Sequence, residues 1–341
     1  MTERMDWRSL EKSLKTEARF FSRTAANHLA SIFDGIGELQ TRDGRPLVVD
    51  AGPGTDFHAL YRARVFQSDD KLEAALARPD IHLGSPPAPL AAAGRMNAHG
   101  ISVFYGANNQ KAAIAEVRPP VGSQVVVARF EIIRKLRLLD LTALNDIRVT
   151  RSIVDFGLAG RIETAMFLRS LSWRIVRPVM PDDEPLEYVA TQAIADFLAT
   201  EVSAPIDGII FPSVQGTRDD LNVVVFRKAS RVESMNIPGG TKISTSTGRW
   251  AEDGWVEDYE VLENVPPLDG EGDNEQGPAW PVITAISQAT PADPRDADWR
   301  DAGLRIVLES MKVHRVKRVE FATDEFTVKR CRREKRYSVE F

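Results

Sequence analysis

The sequence predicts an α+β protein, a core of short, largely antiparallel strands with flanking helices, plus an N-terminal helix and a C-terminal extension. Three observations carry the prediction. β-Branched or aromatic runs of strand length recur from about residue 45 to 230. Stretches of helical composition fall between them. Neither end of the chain shares this alternation, so the chain divides into 1–45, 46–230 and 231–341.

The first division reads as one long helix over residues 6–36. Leu10, Leu14, Ala18, Phe21, Ala25, Leu29, Ile32 and Ile36 recur in steps of three and four and form an apolar stripe. Asp6 suits the N-cap, and Gly35 and Gly37 end the element. Such a stripe needs a surface to cover, either the following domain or a second subunit.

In the second division the expected strands are Pro46–Val49, Ile101–Tyr105, Gln124–Phe130, Leu136–Leu141, Ile209–Phe211 and Leu221–Phe226. The expected helices are Gln110–Val117, Leu158–Trp173 and Glu184–Val202. Residues 78–94, with four prolines and Gly84, read as a loop. In the third division no lysine or arginine lies between Arg249 and Arg295, while acids, prolines and glycines accumulate, which suggests a linker. Leu304, Val307, Leu308 and Met311 suggest a short amphipathic helix, and Val316–Phe321 with Phe326–Val328 a terminal hairpin. Residues 312–336 hold ten lysines and arginines, read as a solvated surface that offsets the acidic segment.

Composition narrows the function. A net charge of −5 and a pI near 5.7 argue against nucleic acid as the main partner. One cysteine, Cys331, precludes an intramolecular disulfide and suits a reducing cytosol. No apolar stretch approaches membrane-spanning length, and no secretory signal opens the chain, so the expectation is a soluble cytoplasmic protein. The five histidines lack metal-site spacing, and no metal is expected. A G-x-S-x-G elbow is absent, Gly52-Pro53-Gly54 does not complete a dinucleotide fingerprint, and Gly239-Gly240-Thr241-Lys242 lacks P-loop spacing.

What remains is a set of polar residues beside apolar elements: Arg62, Arg95, Asn97, Tyr105, Glu116, Tyr188, Gln192, Ser213 and Asn222. Glu116 is the lone carboxylate of an alanine-rich helix, and Ser213 closes an apolar strand. Arginine forks suit phosphate oxygens, and an aromatic ring suits a flat cation. Each residue also has an ordinary structural use. Arg62 could pair with Asp56, with Arg64 the functional arginine instead. Arg95 and Asn97 could shape a turn, Tyr105 could be core, Glu116 surface charge, and Ser213 a turn hydroxyl bonded to its own backbone.

The order Tyr61-Arg62, Gly94-Arg95-Met96-Asn97 with Gly100, Tyr105, Ala115-Glu116, Tyr188 with Gln192, and Pro212-Ser213 with Asn222 resembles the RES domain, over about 56–228. The resemblance implies a fold similar to ADP-ribosyltransferase toxins and cleavage of NAD by phosphorolysis or hydrolysis. It implies Arg62, Glu116 and Ser213 as catalytic residues, and Arg95, Asn97, Tyr105, Tyr188, Gln192 and Asn222 as substrate-binding ones. NAD is then substrate rather than cofactor, and inorganic phosphate a co-substrate if the reaction is phosphorolysis. Cleaving the nicotinamide–ribose bond passes through an oxocarbenium-like cation, and nicotinamide leaves neutral, so one carboxylate suffices. A toxin role with a cognate antitoxin partner is implied too, although the long extensions depart from a minimal RES domain. Two other readings stay open, a transferase that passes ADP-ribose to a macromolecule and a non-catalytic binding module. A homo-oligomer through the N-terminal stripe is also an expectation.

Overall fold

The computed structural model describes residues 7–17, 22–148, 158–202, 204–217, 219–267, 298–320 and 322–332. Ten strands are present among them: β1 (Val48–Ala51), β2 (Ala59–Phe66), β3 (Phe104–Ala107), β4 (Gln124–Ile132), β5 (Leu136–Asp140), β6 (Gly208–Pro212), β7 (Leu221–Val225), β8 (Lys242–Ala251), β9 (Gly254–Asn264) and β10 (Leu304–Arg315). The helices are α1 (Trp7–Lys12), α2 (Arg23–Phe33), α3 (Asp69–Ala77), α4 (Pro79–His82), α5 (Gln110–Glu116), α6 (Leu158–Val176), α7 (Glu184–Glu187) and α8 (Val189–Thr200). The fold is α+β, as expected.

Eight strands form one sheet in the order β1-β5-β6-β7-β3-β2-β4-β10. Every pairing is antiparallel except β5 with β6. That parallel pair needs a crossover, and the chain between the two strands supplies α6, α7 and α8. Side-chain alternation sorts neighbouring residues to opposite faces. Leu139, Ile209 and Val224 enter one core with Leu29, Phe33, Leu168 and Leu198 from the helices. Leu138, Ile210 and Val223 enter the other with Leu60, Phe130, Leu72 and Leu76. A third, smaller cluster seats Ala112 and Ala113 of α5 on Ala63, Ala107 and Val127.

The sheet is not uniformly zipped. β2 and β4 pair through eight residues from Ala59↔Glu131 to Phe66↔Gln124. β2 and β3 share a single pair, Tyr61↔Ala107. Beyond it the two strands are no longer bonded to each other, and Arg62 and Arg64 of β2 and Tyr105 of β3 line one cleft with the loop from Pro86 to Val103.

Several expectations need correction. The N-terminal segment is two helices, because Ser22 takes an N-cap position and its hydroxyl accepts from the Ala25 amide at 3.2 Å. Asp6, Ala18 and Phe21 lie outside the described residues. Gly35 does follow the second helix, with φ +66°. Leu10, Leu14, Ala25, Leu29, Ile32 and Ile36 are buried in this chain's own core, so the stripe is not a free interface. Residues 78–94 are not all loop, since α4 starts at Pro79. Strand β2 and the β8–β9 hairpin were not anticipated.

The largest correction is at the C-terminus. Leu304–Arg315 is a strand, not a helix, and it joins the main sheet beside β4. A register shift between Val307 and Lys312 interrupts its alternation, which is why the apolar residues sit at helix-like spacing. No terminal hairpin forms among residues 316–320 and 322–332, while Phe321 lies outside the described residues. Much of the acidic segment, 268–297, also lies outside them. Its described part supplies Glu257, which pairs with Arg315 of β10. Residues after 230 therefore complete the central sheet rather than hang from it. Ending the chain at residue 267 should expose the β4 edge and remove soluble monomer. Gel filtration of that truncated chain checks this, and a stable monomer would contradict it.

Candidate active site

Alternation along β2 places Leu60, Arg62 and Arg64 on one face, so the strand carries two guanidinium groups side by side. Both line a cleft of about 460 Å³ together with His82, Asn97 and Tyr105. The Arg62 guanidinium lies 4.7 Å from the centre of the Phe104 ring. Its Nη1 is sealed from solvent with no hydrogen-bond partner. No carboxylate pairs with Arg62 or Arg64 among the described residues, so the expected alternative partner, Asp56, does not fill that role. Arg64 donates from Nη2 to the Gly84 carbonyl at 3.3 Å.

The electrostatics follow from this crowding. Burial, and then the neighbouring Arg64, disfavours the charged form of Arg62. Burial does the same to Arg64. His82 is held below the ordinary imidazole range, by burial first and Arg64 second. Arginine does not release its proton near neutrality, so the unfavourable charge stays in place. Two like charges without an acid form a site that an anion would relieve.

The wall of the cleft is a tight turn from Gly94 to Asn97. The Gly94 amide donates to the Asn97 carbonyl at 2.9 Å. Asn97 is buried and its amide donates to the carbonyls of Ala92, Ala98 and Ile101. Its Oδ1 accepts from the Tyr105 hydroxyl at 2.9 Å, and that hydroxyl accepts from the Met96 amide at 3.1 Å. Only glycine fits at 94, where a Cβ would lie 2.7 Å from Asn97 Oδ1 and 2.8 Å from the Tyr105 oxygen. Gln192 of α8 donates to the carbonyls of Gly94 and Asn97 at 2.8 and 3.1 Å. Thr191 donates to the Arg95 carbonyl at 2.6 Å. With its hydroxyl committed, Tyr105 has only its ring to offer a ligand. Burial chiefly keeps that hydroxyl protonated.

Arg95 does not line the cleft with Arg62 and Arg64. Its guanidinium donates to the carbonyls of Arg174 and Arg177 at 3.0 and 2.8 Å, at the C-terminal end of α6. A cation there offsets the negative end of the helix dipole. It also stacks 4.9 Å from the centre of the Tyr188 ring. The Tyr188 hydroxyl donates to Glu184 at 3.0 Å. Arg95, Tyr188 and Gln192 thus brace the turn from behind.

Glu116 ends α5, and Asn109 caps that helix at its start through a 2.9 Å bond from the Ala112 amide. Glu116 is exposed, and its Oε2 accepts from Asn222 Nδ2 at 2.8 Å. Asn222 is buried in β7 and its own Oδ1 has no partner. Asn222 pairs across the sheet with Ala107, two residues along β3 from Tyr105, and neither Asn222 nor Glu116 lines the cleft. Ser213 follows β6 and is buried, and its hydroxyl accepts from the Gln215 amide at 3.3 Å. Its hydroxyl thus serves the turn, the structural alternative to the catalytic role that the resemblance implies, and it does not line the cleft.

The geometry gathers Arg62, Asn97 and Tyr105 in the cleft, while Glu116, Asn222 and Ser213 do not line it and Glu116 and Asn222 are bonded to each other. Residues not anticipated at all are His82, Thr191, Arg118 and Gln215. Among the described residues, no group of three or more His, Cys, Asp or Glu could hold a metal, and no helix is long and apolar enough to cross a membrane. Against known families, the model described as the RES domain matches residues 59–246, more than half of the chain, from the first residue of β2 into β8. No curated protein matches the sequence.

Proposed function

Since this chain belongs to the RES domain family, we propose that it cleaves the nicotinamide–ribose bond of NAD and acts as a toxin that depletes NAD. The observation that supports this reading is the Arg62–Arg64 couple, without an acid partner among the described residues, in a cleft that also holds Asn97 and Tyr105. The two guanidinium groups suit the diphosphate of NAD, or inorganic phosphate entering as the acceptor. The Tyr105 ring suits the flat nicotinamide cation.

In this reading the bond from ribose C1″ to the pyridinium nitrogen breaks, and its electron pair leaves with neutral nicotinamide. Positive charge grows on the ribosyl ring, where the Glu116 carboxylate stabilises it. Asn222 orients that carboxylate by its 2.8 Å hydrogen bond. An oxygen of water, which loses its proton to solvent, or an anionic oxygen of phosphate then bonds to C1″. Arg95, Gln192 and Tyr188 act on the substrate indirectly, by holding the Gly94–Asn97 turn.

The test incubates purified protein with NAD, with and without inorganic phosphate, and follows nicotinamide and the ribosyl product. ADP-ribose-1″-phosphate formed only with phosphate identifies a phosphorylase, and ADP-ribose in both buffers a glycohydrolase. Nicotinamide released only when a macromolecular acceptor is added would replace this reading with the transferase. No release under any of these conditions would end the proposal. Growth arrest on expression supports the toxin role, and its absence in a strain where NAD is turned over would refute it.

A further inference from the structure

Arg118, two residues beyond Glu116, is the only non-glycine residue with positive φ among the described residues, at +43°. Its amide donates to the Ala115 carbonyl at 3.2 Å, so it occupies the left-handed position just past α5. That position favours glycine or asparagine. The backbone therefore gives no reason for an arginine, and the side chain must supply one.

The side chain meets the turn that follows β6. With its amide oxygen facing Arg118, Gln215 accepts from Nη2 at 2.9 Å and from Nε at 3.2 Å. The Gln215 backbone amide in turn donates to Ser213 Oγ at 3.3 Å. A second link joins the same end of α5 to β7, the strand into which this turn leads, through the 2.8 Å bond from Asn222 to Glu116. No carboxylate among the described residues competes for Arg118.

We propose that Arg118 is a positioning residue, whose fork on Gln215 clasps the Ser213 turn against the Glu116 end of α5. A strained residue kept at a site implies a gain elsewhere, and here the gain is a fixed distance between the carboxylate and the turn. Its consequence for turnover rests on the NAD-cleaving reading; the clasp itself does not.

Arg118→Gly, Arg118→Lys and Gln215→Ala separate a clasp from mere packing. Glycine relieves the left-handed backbone, so Arg118→Gly is expected to melt at the wild-type temperature or above it. Amide exchange at Gln215 is expected to quicken about tenfold or more as the turn opens locally. Nicotinamide release is expected to fall about tenfold or more in kcat, because misplacement by an ångström is costly, with KM within about twofold. Lysine lacks the fork and is not expected to restore either readout. The double variant Arg118→Gly/Gln215→Ala is expected to be no worse than either single one. Unchanged exchange at Gln215 would overturn the clasp. So would a raised KM with kcat intact, or a fall in melting temperature that matches the loss of activity. If the wild-type protein releases no nicotinamide, the exchange measurement alone still decides the clasp.

Discussion

Replacing Glu116 by glutamine is expected to reduce nicotinamide release by about 10²–10³-fold, the scale of removing one preorganised electrostatic group from a transition state. The substitution is well suited to isolating charge. Glutamine keeps a carbonyl oxygen that can accept from Asn222 Nδ2, so the 2.8 Å link need not break. Glu116 is exposed and ends its helix, and surface changes of this kind alter stability by about 0.5 kcal/mol or less. Thermal melting should therefore be unchanged, KM should hold, and kcat should carry the loss. Turnover within a few-fold of wild type would remove Glu116 from the mechanism.

Arg62→Met is also expected to lose activity, but with stability raised rather than unchanged. The guanidinium has a sealed, unpartnered Nη1, a like charge beside it and no acid. Replacing such a group by an apolar chain of similar length removes the desolvation cost, with a gain of about 1 kcal/mol or more. The 4.7 Å contact with Phe104 partly survives, because a thioether also packs well on an aromatic ring. In a chain of 341 residues the gain corresponds to an increase of roughly 1–2 °C in Tm per kcal/mol. If Arg62 holds the diphosphate as proposed, turnover should fall by about 10²-fold or more, and Arg62→Lys should not recover it. Calorimetry with the nicotinamide assay checks both halves. Parallel loss of stability and activity would show that Arg62 is a structural cation instead.

Much of the fold was legible because apolar runs and burial coincide. β4 and β5 begin at Gln124 and Leu136, the residues where the runs begin. β2 escaped notice because two of its residues are arginines, which are seldom placed on a strand face without partners. That same anomaly is the feature that makes it a site. β10 was misread because its register shift moves the apolar residues out of alternation. The site divides in the same way. The order of Arg62, Asn97, Tyr105 and Glu116 could be read from the chain, and the first three line one cleft while Glu116 does not. Arg95 could not be assigned, since a cation serves a helix end as well as a phosphate, and here it serves the helix end. Arg118 and Gln215 left no trace in sequence. A left-handed backbone is announced by glycine or asparagine, not by arginine, and their contact exists only once the two turns meet.

The pairing of β4 with β10 also sets a clock. β4 ends at Ile132 and β10 begins at Leu304, about 170 residues later. At a synthesis rate of roughly 5–20 residues per second, on the order of 10–30 s separate the emergence of the two strands. Throughout that interval β4 has no neighbour on its outer side, and no nascent chain can hold the finished sheet. The closing contact is also strongly non-local, the type that forms slowly. The central sheet is thus completed only once Leu304–Arg315 has been made, long after the strand it covers.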